Sequence, residues 1–430
     1  TEEKGKMKKQ ERRKEKGITL VALVVTIIVL LILAGVTLNI VLDQDGIINK
    51  AQQAVGDYEN SQREEQEILN ELENYMNNLG GGITYVGDVP IPSEYTASQI
   101  STEDSEAEGL VIYEIPEGAT VNWTDNEDGD GKNQSTITLP GETEVKNLQE
   151  TVNQYVWIPV SEINDMVMCR SNSGTSVCDL LYDEDENTLT CQTHTDTPTE
   201  LVGRLYTSSF VNTDNNICSY TMDFTKRDQT HNENDYHEPN TVSDDASNSL
   251  TIDQLKGDFT VMAKSVAKNG GFYISRYEVG SNGDSKKNQQ VLTAASSNGS
   301  NYLGANKWYG LYNTIRKIEE NKQMIWGCQY DQVIKFIGEE AQVGHNDRNL
   351  TKTRTLSGQN ELDCMKNIYD LEGNFGEWTA EAYSTNNRAS RGSNCNVAND
   401  GYFNPASYRG GFSPTNSSGN RSSSRSTLYL

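Results

Sequence analysis

Residues 18–40, ITLVALVVTIIVLLILAGVTLNI, contain no charged side chain. A helix of this run, rising 1.5 Å per residue, spans roughly 34 Å, enough to cross a bilayer. Just before it stand Lys8, Lys9, Arg12, Arg13, Lys14 and Lys16, the positive-inside arrangement of a membrane segment. The longer remainder of the chain is built for water. The 430 residues together have a formal net charge of −26, which opposes non-specific binding to nucleic acid. Trp, Tyr and Phe are spread through the later part, where a packed core is expected.

The apolar pattern continues past the run at lower density. After Asp45-Gly46, Ile48, Ala51, Val55 and Tyr58, then Ile68, Leu72, Met76 and Leu79, recur in steps of three and four. That spacing predicts a helix with one apolar stripe. Glu59 and Arg63 add a favourable i,i+4 pair. Gly80-Gly81-Gly82 ends it. Ala34 and Gly35 are small residues against which another helix could pack closely.

The junction KGITLVALVV, Lys16 to Val25, resembles the cleavage site of type IV prepilins. The resemblance implies a membrane peptidase cutting between Gly17 and Ile18, methylation of the new N-terminus, and assembly with other pilin subunits through the apolar segment. The chain departs from the family at Ala22, where a glutamate usually neutralises a neighbour's terminal amine. Ordinary packing within a filament is therefore put in doubt, and a place at a filament tip is compatible.

Residues 83–150 read as short strands and turns. Asn126, Asp128, Asp130 and Gly131 follow the order of a calcium loop's first half, but Ile137 stands at the closing position. An acidic exposed turn is the simpler expectation. His231 and His237 lie among acids at a spacing that fits no common zinc helix, so a solvated loop is expected there. The seven cysteines include no CxxC pair. Outside the cell, Cys169–Cys178 and Cys191–Cys218 are near enough in sequence to pair, with free buried thiols as the alternative.

From Tyr155 onward the order YVWIPV (Tyr155–Val160), GGFYISRYEVG (Gly270–Gly280), a helical MIWGCQYDQVIKFIG (Met324–Gly338), NIYDLEGNFGEWT (Asn367–Thr379), RASRGSNC (Arg388–Cys395) and YRGGFS (Tyr408–Ser413) emerges. This order resembles the formylglycine-generating-enzyme-like domain, a variety of the C-type-lectin fold. The residues carrying the resemblance are Gly373, Asn374, Glu377, Trp378, Arg391 and Gly392. It implies Trp378 as a core anchor, Gly373 at a tight turn, and Asn374 and Glu377 either pinning loops or holding calcium. The oxidase members need two converging cysteines late in the domain; this chain has only Cys395 there, so no catalytic residue is expected.

In residues 381–430, 33 of 50 are Asn, Ser, Tyr, Gly or Arg, and the only acids are Glu381 and Asp400. That composition suits adaptable recognition loops. Tyr383, Asn387, Asn394, Asn396, Tyr402, Asn404, Tyr408 and Arg409 are the candidate ligand-binding residues.

The expected molecule is α+β: a basic leader at 1–17, a long helix over 18–79, a linker and small β region at 80–150, and a lectin-type head over 151–430 with an insertion near 183–250. Its expected function is that of a non-enzymatic pilin-like subunit at the cell surface, displaying an adhesin head to an unidentified surface ligand. The alternatives are a structural pilin subunit and a membrane-anchored enzyme of the formylglycine-generating type. Its expected cofactors are none, or calcium.

Overall fold

A computed structural model describes residues 83–125, 132–171, 177–193, 199–212, 218–227, 250–294, 303–304, 307–317, 321–343, 354–384, 387–392, 405–414 and 422–430. The chain divides between Gly80 and Gly81, and the described residues all belong to the second unit.

Strict alternation builds the central sheet. Six strands, β1 (Tyr95–Ala97), β2 (Val111–Glu114), β3 (Gln154–Pro159), β4 (Gly271–Ser275), β5 (Lys322–Met324) and β10 (Ser426–Leu428), pair in the order β5-β10-β4-β3-β2-β1. Every pairing is antiparallel. Successive side chains of a strand point to opposite faces, and here both faces are covered. Val156 and Ile158 of β3 join Val111, Phe272 and Ile274 in the large core, while Tyr155 and Trp157 join Ile112, Tyr273 and Leu428 in the small one. Trp157 meets Tyr273 edge-on at 4.9 Å. Its indole also requires Gly271, where a Cβ would lie 2.4 Å from the ring.

Helices close the large core. α1 (Leu148–Thr151) is a single turn capped by Asn147. α2 (Ile252–Asn269) starts with a Thr251/Gln254 capping box and stops at Gly270 in the left-handed region. It buries Leu255, Phe259, Met262 and Val266, three and four residues apart. α3 (Lys307–Arg316) and α4 (Gly327–Ile337) complete the set.

A second, four-stranded sheet comprises β6 (Gly376–Ser384), β7 (Asn387–Arg391), β8 (Arg409–Phe412) and β9 (Ser422–Ser424), ordered β8-β7-β6-β9. β9 runs parallel to β6, and β8 is an edge. Arg425 alone separates β9 from β10, so the chain passes from one sheet directly into the other.

The expected fold class is corrected. The described chain is mostly β-sheet with four short α-helices, and none of its helices is long and apolar enough to cross a membrane. The long helix expected over 18–79 lies outside the described residues. The physical reason for the β content is the abundance of Thr, Tyr, Val and Ile in short alternating runs, punctuated by Gly, Asn and Asp, which suits strands and turns. The segment near 183–250, expected as a loop-like insertion, carries among its described residues the strands Thr188–Cys191, Thr199–Gly203, Tyr206–Asn212 and Cys218–Arg227. The last two form one antiparallel hairpin.

Candidate functional site

The GNFGEWT segment leads from a turn into β6, and its residues do different work from what their types suggest. Asn374, not Gly373, takes the left-handed conformation, with φ 50°. Gly373 is required by close approach, since a Cβ there would lie 2.3 Å from Asp363 Oδ2. Trp378 is 3% exposed and serves as the expected core anchor. Asn374 Nδ2 donates to Glu278 Oε2 at 2.6 Å, and its Oδ1 accepts from the Thr355 amide at 2.9 Å. It is a loop pin, with both ends of its amide engaged.

Glu377 is fully buried and accepts from Arg425 Nε. The same guanidinium donates to the carbonyls of Ser275 and Arg276, each at 3.1 Å, and to that of Tyr369. Arg425 therefore supplies the positive charge at this turn. Of the Asn374–Glu377 pair, the amide oxygen and Glu377 Oε1 are committed to these donors, while among the described residues Glu377 Oε2 has no hydrogen-bond partner.

Two more buried acids face this ion pair. Asp370 Oδ2 accepts from the Gly358 amide at 2.6 Å, while among the described residues Asp370 Oδ1 and Glu278 Oε1 have no hydrogen-bond partner. Burial raises all three carboxyls: Asp370 to about 6, Glu377 to about 7 against the pull of Arg425, and Glu278 well above the ordinary range, helped by the charges of Asp370 and Glu377. These groups titrate near 4 in an unfolded chain, so the folded head holds protons that the unfolded chain releases. The contribution of Asp370 and Glu377 to stability is fully present below about pH 4 and is lost as pH rises through about 6 to 7. Thermal unfolding followed by circular dichroism from pH 5 to pH 8 should show a falling midpoint, flattened by Asp370→Asn. A midpoint that is constant or rises would contradict this arrangement.

A buried ion-pair network ties the second sheet to α4. Arg391 Nη2 donates to Asp331 Oδ1 at 2.6 Å and to Glu381 Oε2 at 3.2 Å; Arg409 donates to Glu381 Oε1. Glu381 also sits over Gly327 at the start of α4, where any Cβ would strike its carboxylate, and the helix N-terminus favours its charge. Gly392 (φ 69°) has no room for a side chain, because a Cβ would lie 2.5 Å from the Leu371 carbonyl oxygen. Arg391 and Gly392 are thus structural, and so is Arg409, a candidate ligand contact: its guanidinium is buried on Glu381, with the Tyr383 ring 5.8 Å away.

The edge strand β8 is flanked by aromatic rings on both faces. Tyr383 reaches it from β6, and its ring occupies the space a Gly411 Cβ would need. Tyr408 and Phe412 flank Gly410 on the other face, with the Tyr408 hydroxyl 2.9 Å from where that Cβ would stand. Phe412 packs edge-on against Trp378 at 6.1 Å yet remains 43% exposed. Tyr383, Tyr408 and Asn387 are half-buried. Of the other candidates, Asn394, Asn396, Tyr402 and Asn404 lie outside the described residues, as do Gly17, Ile18, Ala22, Ala34 and Gly35. The loop at Asn126–Gly131 and the histidines His231 and His237 also lie outside them. Sequence reasoning missed Phe412 and Glu278. The first sits in YRGGFS and could have been found as a large apolar residue in an otherwise polar segment; the second has no sequence signal of burial.

The cysteines form a further cluster. Cys169 is bonded to Cys191, rather than to Cys178 as sequence proximity suggested. The sulfurs of Cys169, Cys178 and Cys191 all lie within 4.8 Å of one another, a grouping that could hold a metal ion if all three were thiolates. The Cys218 side chain lies outside the described residues. No family model, curated protein or solved structure matches this chain.

Proposed function

We propose that this protein is a non-enzymatic, pilin-like subunit of the cell surface whose head binds a surface ligand at the aromatic-flanked edge strand β8. The carrying observation is the exposed Phe412 with Tyr408 and Tyr383 around Gly410-Gly411. A large exposed ring on an edge strand offers contact area at little side-chain conformational cost. The candidate loops that contain Asn394, Asn396, Tyr402 and Asn404 join this strand to β7 in sequence, so they belong to the same ligand site in this reading.

The uncharged segment 18–40 and the basic cluster before it support display from a membrane, with a prepilin peptidase cutting between Gly17 and Ile18 and pilin subunits as partners. The lone late cysteine, Cys395, supports a binding role over oxidation.

The test is binding of the purified full-length protein to arrays of immobilised glycans and extracellular proteins. Phe412→Ser combined with Tyr383→Ala is expected to weaken any captured ligand at least tenfold while the near-ultraviolet circular dichroism is retained. Unchanged affinity would move the ligand site elsewhere, and wild-type protein that captures nothing would favour a purely structural subunit.

A further inference from the structure

The third sulfur beside the disulfide has a use that a static bridge would not need. Cys178 stands directly opposite Cys169 in the antiparallel ladder between Val177–Cys178 and Val167–Ser171. Cys191 arrives from another direction, at the end of the hairpin formed by Leu180–Asp183 and Thr188–Cys191. Cys169 is buried between them, while Cys178 and Cys191 are half-exposed. Facing residues of antiparallel strands stand about 4.5–5.5 Å apart at Cα, inside the range a disulfide requires. The Cys169–Cys191 pair has its Cα atoms 5.6 Å apart. Cys169 can therefore bond to either neighbour without moving its strand.

We propose that Cys169, Cys178 and Cys191 form a thiol–disulfide exchange site. The Cys178 thiolate attacks Sγ of Cys169; the Cys169–Cys178 bond forms as the Cys169–Cys191 bond breaks, and Cys191 leaves as the thiolate. One disulfide and one thiolate stand on each side, so no external oxidant or reductant enters. The fold already holds all three sulfurs within 4.8 Å of one another, so neither pairing has to close a chain loop anew and loop-closure entropy does not separate the two. The consequence is mechanical as well as chemical. In the first pairing the 180–191 hairpin is stapled to Val167–Ser171. In the second the Cys191 strand is released from that staple, and the hairpin is held at the same end through its other strand by Asn164, whose side chain accepts from the Leu180 amide at 2.7 Å and donates to its carbonyl at 3.1 Å. The reactive thiol moves from one strand to another, and at either position it can accept a small disulfide as a mixed-disulfide modification.

Alkylation of the folded, full-length protein with iodoacetamide at pH 8, followed by peptide mapping, tests this. The expected result is label on both Cys178 and Cys191, each with the complementary disulfide in the same population. Cys178→Ser should abolish labelling of Cys191, and Cys191→Ser should yield the Cys169–Cys178 bond. Label confined to Cys178, with the Cys169–Cys191 bond intact throughout, would overturn the proposal. Labelling of Cys191 that persists in Cys178→Ser would do the same. So would three cysteines that become reactive together only after a chelator is added, the behaviour of a metal site.

Discussion

Replacing Arg425 by Met is expected to remove about 3–5 kcal/mol from the stability of the head, the usual cost of breaking a buried ion pair, here shared between a Glu377 carboxyl forced to hold a proton and three carbonyls left without their donor. Against a typical total of about 5–15 kcal/mol, that is enough to leave the head marginal at 37 °C. The guanidinium is fully buried and joins two sheets: Glu377 belongs to β6, Ser275 to β4, and Arg276 directly follows it. Met fills comparable volume and satisfies none of these acceptors. The charged partner and the carbonyls can be separated experimentally. Without Arg425 the Glu377 carboxyl, already raised to about 7 beside it, is pushed further up and must hold a proton; Glu377→Gln in the Arg425→Met background removes that titrating group and leaves the carbonyls unsatisfied, a difference read at pH 8. The double variant is therefore expected to regain at least about 1 kcal/mol over the single one. Urea denaturation of both, read at a common m-value, decides it. A loss below about 1 kcal/mol in Arg425→Met would show that water replaces the guanidinium at no great cost.

How much of this was legible in the sequence depended on whether neighbours along the chain are also neighbours in space. YVWIPV and GGFYIS announce strands because alternate residues go to two separate cores, and each side chain's hydrophobicity reports its own face. MIWGCQYDQVIKFIG announces a helix for the same local reason, and α4 occupies Gly327–Ile337 within it. The hairpin of Tyr206–Asn212 and Cys218–Arg227 was not legible, because Ser, Thr and Asp in its strands read as loop composition although Tyr, Phe and Thr are also strand formers. The long apolar run weighted the expected fold class toward helix, and it says nothing about the residues beyond Gly82.

The site was less legible still. Cysteine pairing misled because proximity in sequence ignores a hairpin: the turn between Asp183 and Thr188 folds Cys191 back beside Cys169. The role of Glu278 required Asp370, Asn374, Glu377 and Arg425 to meet around it, and no spacing encodes that. Arg409 looked available for a ligand because the C-terminal region contains few acids, yet one of those few, Glu381, lies buried against it. A low count of acids describes a surface poorly when one of them, Glu381, lies inside.

The last five residues carry an expected effect at least as large as that of Arg425. Deleting residues 426–430 removes β10, the strand between β4 and β5 in the central sheet. Tyr273 and Ile274 lose their partners Leu428 and Thr427, and Lys322 to Met324 lose theirs along the whole of β5. Leu428 and Tyr429 are buried, each contributing roughly 1.5–3 kcal/mol. Leu430 additionally exchanges hydrogen bonds with Ser265 of α2 at 3.0 and 3.1 Å. An interior strand cannot be replaced by water without exposing both cores and two new edges. The truncated protein is expected to show no cooperative thermal transition, whereas Leu428→Ala alone should cost about 2–5 kcal/mol and keep one. A synthetic peptide of residues 421–430, added in excess, should restore the transition with a midpoint that rises with peptide concentration. A cooperative transition in the truncated protein without peptide would mean that β4 and β5 pair directly, and that β10 is an addition to the sheet rather than its centre.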